Sequence, residues 1–533
     1  MRLRVALFAL ICLLAACEAA AAPPLRVRVR ADGREVVFSA TEPLSVGQIL
    51  QREGFSIGPL DRLNPPDFTP IADGMVITLV RVENKADCVE ESVPYQTETL
   101  KTTDLDPGVS RVLQAGINGT ARVCYEVVLE DGVERSRAQS SRTILTPPAN
   151  QIVAVGVDSS RIEPIAMPGF LTYISGGQAR YIEGNSTTQG GLPTGGGLDG
   201  FVFALSPDGR QLLYTRKPES AKPDLFNELW VLLDTKSPNA KPIKLIIENV
   251  LTAEWVPGRP LTFSYSTLRP RSDPPGYQAL NDLFIARLDG VTGRILSAEP
   301  ILKTSVNAPY SAWGTQFEWS PDGQQLAWAQ ADGVGFVNLR DGTLERLIDF
   351  RIYETTLSRG WLWLPNLAWS RDGAVLAATV HGPPIGGEPP ETSPAFDVAA
   401  VSAARAFAIN PMFSRVGMWA SPQFSPLMTA EGRMQGYLAY LQARTPNDSV
   451  NSEYDLIIAD RDGSNPRTVF PGKERPGLIP FEDRTRHAKI VWSPDGRQIA
   501  LIYQGDLYIV EADSGRATQV TVVGNVLSPR WVR

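Results

Sequence analysis

The sequence predicts a mainly β protein: a β-grasp module, an elongated antiparallel module, then a β-propeller of seven blades, six being the alternative, closed by pairing of its N- and C-terminal strands. Three observations carry this expectation. At 533 residues the chain exceeds what one hydrophobic core supports, so several domains are expected. Its 45 Gly and 43 Pro supply turns, while 11 Trp and 14 Tyr supply strand aromatics. A Ser-Pro-Asp-Gly turn recurs through the second half, each copy followed by an apolar strand.

The N-terminus reads as a secretory signal over residues 1–16, with Arg2 and Arg4, the apolar run Val5 to Leu14, and then Leu14-Ala15-Ala16-Cys17. The run is too short for a mature membrane span. Leu-Ala-Ala-Cys resembles the bacterial lipobox, whose Cys accepts diacylglycerol. The alternative is a Cys inside the signal, with cleavage nearer Ala22. The resemblance implies lipidation of Cys17 and attachment to the membrane surface, since each buried methylene adds about 0.8 kcal/mol. Residues 17–24 are then a tether, and everything after Cys17 is expected outside the cytoplasm, on the bacterial cell membrane or cell surface. No later segment has an apolar stretch of transmembrane length.

Cys12 and Cys17 belong to the leader, leaving Cys88 and Cys124 to pair as a disulfide. Two free thiols or half a metal site are the alternatives, and no His lies nearby for the latter. With 51 basic against 58 acidic residues and no long like-charge cluster, nucleic-acid partners are not expected.

Residues 25–82 have β-grasp order. Leu25 to Arg30 alternates with period two, Asp32-Gly33 turns the chain into Val36-Val37-Phe38, and Ser45 with Gln48 forms a capping box for a helix that Gly54 stops. Asp73-Gly74 then leads into Met75 to Val82. Pro43 to Leu50 and Ile71 to Ile77 resemble the ubiquitin-like domain of unknown function found beside cell-wall modules.

Long alternating segments follow over 83–157: Val89 to Thr99, Gly119 to Glu130 and Gly132 to Leu145. Gly108, Gly116, Gly119, Gly132 and Gly156, with Val93-Pro94-Tyr95 and Ile152 to Gly156, resemble the five-glycine (G5) domain of bacterial surface proteins. The glycines are read as structural, allowing positive φ or close strand contact. The resemblance implies an adhesive or spacer module with affinity for cell-wall glycan.

After a linker at 158–169, residues 170–533 carry the repeat. Ser206-Pro207-Asp208-Gly209 recurs at Ser320, Ser370 (with Arg371 for Pro) and Ser493, and degenerate copies lie at Glu254-Trp255-Val256-Pro257-Gly258, Gln423-Phe424-Ser425-Pro426 and Ser528-Pro529-Arg530-Trp531. Copies start roughly 35 to 68 residues apart, the spacing of four-stranded blades. The repeat resembles the TolB-type, WD-like propeller. Phe170 to Ile174 and Gln178 to Glu183 look like middle and outer strands lacking an inner one, which the final strand from Ser528 would supply.

Insertions after the second strand of several blades, Lys217 to Asn227, Leu268 to Leu280, His381 to Phe396 and Ala443 to Glu453, share one face with the loops between blades. Those loops hold Trp313, Trp361, Trp363 and Trp419, read as an aromatic ligand-binding rim; the alternative is that they plug the spaces between blades. Trp319, Trp328, Trp369 and Trp492 are read as core. Both His381 and His487 are read as surface residues, and no nucleophile elbow, zinc helix, phosphate loop or dinucleotide fingerprint is present. No catalytic residue, metal or cofactor is assigned. The expected role is a binding protein whose small modules contact or span cell-wall polymer and whose propeller binds a protein or glycan. A propeller glycan hydrolase or lyase with paired carboxylates, and a structural subunit of an envelope complex, are the rivals.

Overall fold

Alternation decides the first sheet: Val27 and Val29 of Leu25–Ala31 are buried while Arg26, Arg28 and Arg30 face water. The computed structural model describes residues 23–160, 162–218, 222–273, 275–306, 313–354, 362–405, 407–430, 433–480 and 489–533, so the leader and Cys17 lie outside the described residues. Two compact units are present, one of residues up to Glu98 with Val112–Val153, the other of Thr99–Arg111 with Ala154–Arg533. No described helix is long and apolar enough to cross a membrane.

In the first unit, Leu25–Ala31 pairs antiparallel with Arg34–Ala40 and parallel with Val76–Val80, and Arg62–Asn64 adds a short edge strand. The helix Val46–Arg52 starts from the expected reciprocal box between Ser45 and Gln48 and buries Val46, Ile49 and Leu50 against this sheet. Gly54, at φ +83°, lets the chain turn away behind it.

A second sheet, Val82–Val93, Gly119–Glu130 and Val133–Thr146 in that order, is long and thin. Cys88 and Cys124 stand directly opposite each other on its first two strands, with Cα atoms 4.0 Å apart, and are joined by a disulfide. The strand expected over Val89 to Thr99 is two strands instead. Pro94 has no N–H for the ladder, and the N–H of Tyr95 donates to the Asn118 side chain, so pairing stops at Val93 and resumes at Thr97. Thr97–Thr102, Ser110–Gln114 and Gln151–Gly156 form a further three-stranded sheet. The glycines have the structural reasons expected. A Cβ on Gly116 would lie 2.2 Å from the Tyr95 ring, and Gly132 turns at φ +77°.

Arg81 ties the two sheets of the first unit together. Its guanidinium donates to Asp32 and Asp61 at 2.7 Å each and to the Ser56 carbonyl at 2.6 Å, while its own N–H donates to Asp131. Burial opposes ionisation of Asp61, but the N–H groups of Gly58 and Val82 and the Arg81 charge outweigh it and hold the carboxyl below the usual range. Its contribution is therefore full above the ordinary aspartate range and fades as pH falls through it. Arg81→Met should destabilise the unit by about 2 kcal/mol, because Asp61 keeps its charge and loses its cation. Urea unfolding at neutral pH and at pH 3 checks this: the loss should be smaller in acid.

The second unit is a succession of sheets. Six antiparallel meanders begin at Leu198–Leu205, Val250–Trp255, Gln316–Trp319, Leu367–Trp369, Gln423–Phe424 and Ile490–Trp492; five are four-stranded, and the second carries Tyr277–Ala279 as a fifth strand. The seventh sheet has Val526–Val532 paired antiparallel to Ala166–Ser175, which pairs in turn with Gln178–Gly191. Chain segments roughly 350 residues apart thus share one sheet, the arrangement that removes two free edges.

Each full turn motif is built alike. In the first copy, the Ser206 hydroxyl donates to Asp208 at 2.6 Å and accepts the Gln211 N–H at 2.9 Å, while Gly209 takes φ +71°. Ser320, Ser370 and Ser493 repeat those bonds. The bonds from Ser320 and the Gln324 N–H hold Asp322 below the usual carboxylate range. These carboxylates are spent on their own turns, which is why none is free for chemistry.

Candidate functional site: a charged cavity

The residue just before the motif Ser is aromatic in most copies and joins successive sheets. The indole N–H of Trp255 donates to the Ala204 carbonyl at 2.9 Å, that of Trp369 to Glu318 at 3.0 Å and that of Trp492 to Gln423 at 3.0 Å. Each of these bonds runs from one first strand to the first strand of the preceding sheet. As expected, Trp319, Trp328, Trp369 and Trp492 are buried.

With the motif tryptophans turned outward between sheets, the residues before them turn inward. The seven first strands line one cavity of about 700 Å³. Three positions before the turn Pro, the column reads Ala204, Glu254, Glu318, Ala368, Gln423, Val491 and Arg530; Ala204 is buried in the core beside Trp255, and the other six line the cavity. At the Pro position itself five copies keep Pro and two carry Arg371 and Arg533. Sequence reasoning missed these charges. Aligning all seven copies by column would have exposed them, because charge appears in a column that is otherwise small, apolar or uncharged.

Arg530 donates to the Phe203 carbonyl at 3.0 Å and lies 3.5 Å from Glu254. Glu254 and Glu318 keep exposed area facing the cavity, yet protein surrounds them. That enclosure pushes the Glu254 carboxyl up, against the pull of Arg530. Glu318 is pushed up to about 8, first by removal from bulk water and then by repulsion from Glu254, with Arg530 and Arg371 opposing. The sign follows: the folded protein holds this proton from the ordinary glutamate range to about pH 8 while the unfolded chain has lost it. Stability from this group is full at acid pH and declines as pH rises across that window. Glu318→Gln should therefore flatten the fall in melting temperature between pH 5 and pH 8; an unchanged slope counts against the shift.

The aromatic rim is only partly assembled. Trp363 is 1% exposed, packs against Phe396 at 4.8 Å and donates to the Met418 carbonyl at 2.9 Å. It fills space between neighbouring sheets and offers no area to a ligand, which corrects the reading of it as a rim residue. Trp419 packs half-buried against that same cluster, whereas Trp313 sits apart beside Tyr277 at 6.4 Å. Trp361 lies outside the described residues.

His381 also departs from expectation. It is 4% exposed, ending the strand Val375–His381, with Nδ1 2.7 Å from the Arg351 carbonyl and Nε2 2.9 Å from that of Ser393. Its ring anchors the base of the insertion that follows, held between two backbone carbonyl oxygens. His487 lies outside the described residues. Among the described residues no cluster of His, Cys, Asp and Glu is placed to hold a metal ion.

The thin disulfide-bonded sheets have a counterpart among known families. Residues 84–158 match the G5 domain. A provisionally described cell wall shaping protein, YabE of Bacillus subtilis (strain 168), is 25% identical over 170 residues, 32% of this chain and 40% of that protein. The chain therefore spans less than half the length of this relative. Among solved structures, a provisionally assigned TolB from Agrobacterium tumefaciens aligns over 67% of this chain and 100% of its own, at 14% identity and TM-score 0.33. A provisionally assigned 6-phosphogluconolactonase from Bacteroides uniformis aligns over 68% of this chain and 99% of its own, at 12% identity and TM-score 0.41.

Proposed function

We propose that this is a lipid-anchored protein of the bacterial cell surface, whose G5 domain contacts or spans cell-wall polymer and whose seven sheets form a closed propeller that binds a partner. The domain bounds are those read from sequence: lipidated Cys17 and its tether to Pro24, a ubiquitin-like module over 25–82, the G5 module, and a propeller over 170–533. The observation that carries the binding role is the charged cavity. Its charged side chains sit on inner strands, where an uncharged residue would serve the fold equally well, while the turn-motif carboxylates are all engaged in their own turns. The G5 match and the cell wall shaping relative support the cell-wall setting. Trp313 and Trp419 are the rim tryptophans that retain exposed area for a protein or glycan.

The test is co-sedimentation of the full chain, purified in detergent, with insoluble cell wall. Recovery in the pellet, lost on competition with soluble wall fragments, supports the reading; protein left in the supernatant sinks it. Cys17→Ser should release the chain from membranes, and membrane-bound Cys17→Ser protein would refute the anchor.

A second reading, glycan hydrolysis or lysis, draws on Glu254 and Glu318. One carboxyl held protonated beside one paired with Arg530 is the division of labour an acid and a base or nucleophile need. Release of reducing ends from wall glycan that Glu318→Gln abolishes would favour it.

A further inference from the structure

We infer that the open face of the first sheet lies on anionic phospholipid headgroups, a second membrane contact beside the acylated cysteine; the choice of membrane rests on the lipid anchor proposed above. One face of this sheet is covered and the other is bare. Val27 and Val29 pack in one cluster with Val46, Ile49 and Leu50 of the helix, so Arg26, Arg28 and Arg30 of the same strand point the opposite way. Register sets Val37 and Val76 on either side of Arg28, and Glu35 and Thr78 on either side of Arg30. All three arginines are exposed, as are Val37 at 59% and Val76 at 38%.

The charge here does not cancel. Glu35 is shared by Arg28 at 3.5 Å and Arg30 at 2.8 Å. At the sheet's edge Arg62 shares Glu130 with Arg135, at 2.7 and 3.3 Å. The Asp73 carboxylate accepts the main-chain N–H of Arg26, whose guanidinium makes no hydrogen bond or ion pair among the described residues. Five arginines therefore meet three carboxylates, and the surplus is two positive charges. Arginines two residues apart on a strand sit about 7 Å from one another and repel, which anions laid against them relieve. The valines fit the same occupant. Apolar area beside a guanidinium gains nothing in water, whereas at a lipid surface the guanidinium takes phosphate while the valines and the arginine stems cover the boundary with the acyl chains.

The path of the chain selects phospholipid over anionic wall polymer. Residues 18–24 alone separate Cys17 from Leu25, the first residue of the arginine strand. Fully extended, that stretch spans less than about 30 Å. With Cys17 acylated, headgroups stay within this reach at high effective concentration, so a weak attraction suffices. Each basic side chain near an anionic surface contributes about fivefold in affinity, and a surplus of two gives about 25-fold. The sheet then lies flat, with its helix facing away from the membrane.

The test sediments residues 18–533, which retain every described residue and cannot be acylated at Cys17, with vesicles of about one-quarter phosphatidylglycerol in phosphatidylcholine, or of phosphatidylcholine alone. Partitioning onto the anionic vesicles should be about 25-fold greater at about 0.1 M salt, and the preference should vanish at about 1 M. Replacing Arg26, Arg28 and Arg30 together by Gln should abolish it, and replacing them by Lys should keep it. Gln at Arg259, Arg294 and Arg340, an equal change of charge at exposed positions of the second unit, should also keep it. Equal partitioning onto both vesicles, a preference that survives Gln at the three strand positions, or an equal loss in the second-unit variant overturns the inference. So does binding to soluble poly(glycerol phosphate) without binding to anionic vesicles, which assigns the face to wall polymer instead. The contact alone is too weak to survive the dilution of cell fractionation, so release of Cys17→Ser protein there still reads the anchor. A chain that prefers anionic vesicles but carries no acyl mass on Cys17 loses the anchor reading alone; an acylated chain without the preference loses this inference alone.

Discussion

Trp369→Ala should destabilise the second unit by about 3–5 kcal/mol, the cost of emptying a buried indole site. Trp369 is 7% exposed, stacks on Phe336 at 5.5 Å and packs in the cluster between the third and fourth sheets. Its loss also strands the Glu318 carbonyl, to which the indole N–H donates at 3.0 Å. Trp369→Phe separates the two effects, since the ring stays and the hydrogen bond goes; about 1 kcal/mol is expected. Because the same bond holds the backbone of a cavity residue, Trp369→Phe should also alter the pH slope attributed to Glu318. Urea unfolding across pH 5 to 8 reads both. Equal stability of Trp369→Ala and wild type would mean that these indoles are not what joins the sheets.

Removing the Cys88–Cys124 bridge should cost about 4 kcal/mol by the chain-entropy argument for its 36-residue separation, lowering the first unit's melting temperature by about 10 °C. The thin sheet makes the effect large. Its central strand buries Ala121, Val123 and Val127, but none of them joins a hydrophobic cluster of the kind that backs Leu25–Ala31 and its helix. Cross-links replace packing where a single layer has no second layer to pack on. Cys88 is exposed, so a thiol reductant should reach the bond in the folded state and reproduce the loss seen in the Cys88→Ser, Cys124→Ser double variant. That variant should not respond to reductant. A wild-type melting temperature indifferent to reductant would refute a stabilising role.

Local chemistry was open to reading from the chain. Ser45 and Gln48 cap a helix wherever three residues separate them, and a Ser-Pro-Asp-Gly turn closes on its own hydroxyl and carboxylate; both need only near neighbours. The pairing of Cys88 with Cys124 follows from counting, and the break at Pro94 is equally local, written in a residue without an N–H, although alternation alone predicts an unbroken strand there. Recurrence of the turn pointed to repeated sheets and to the final strand joining Ala166–Ser175.

What faces what was decided elsewhere. A tryptophan in a loop reads as a rim residue until Phe396 and the Met418 carbonyl are brought against it, and His381 reads as a loop residue until two carbonyls from distant segments meet its ring. Glu254, Glu318, Arg371, Arg530 and Arg533 lie up to 279 residues apart and share a cavity only because seven strands converge. Bonds that close within a few residues are settled by the order of the chain. Charges that act through space acquire a meaning only when folding sets their separation and surrounds them with protein.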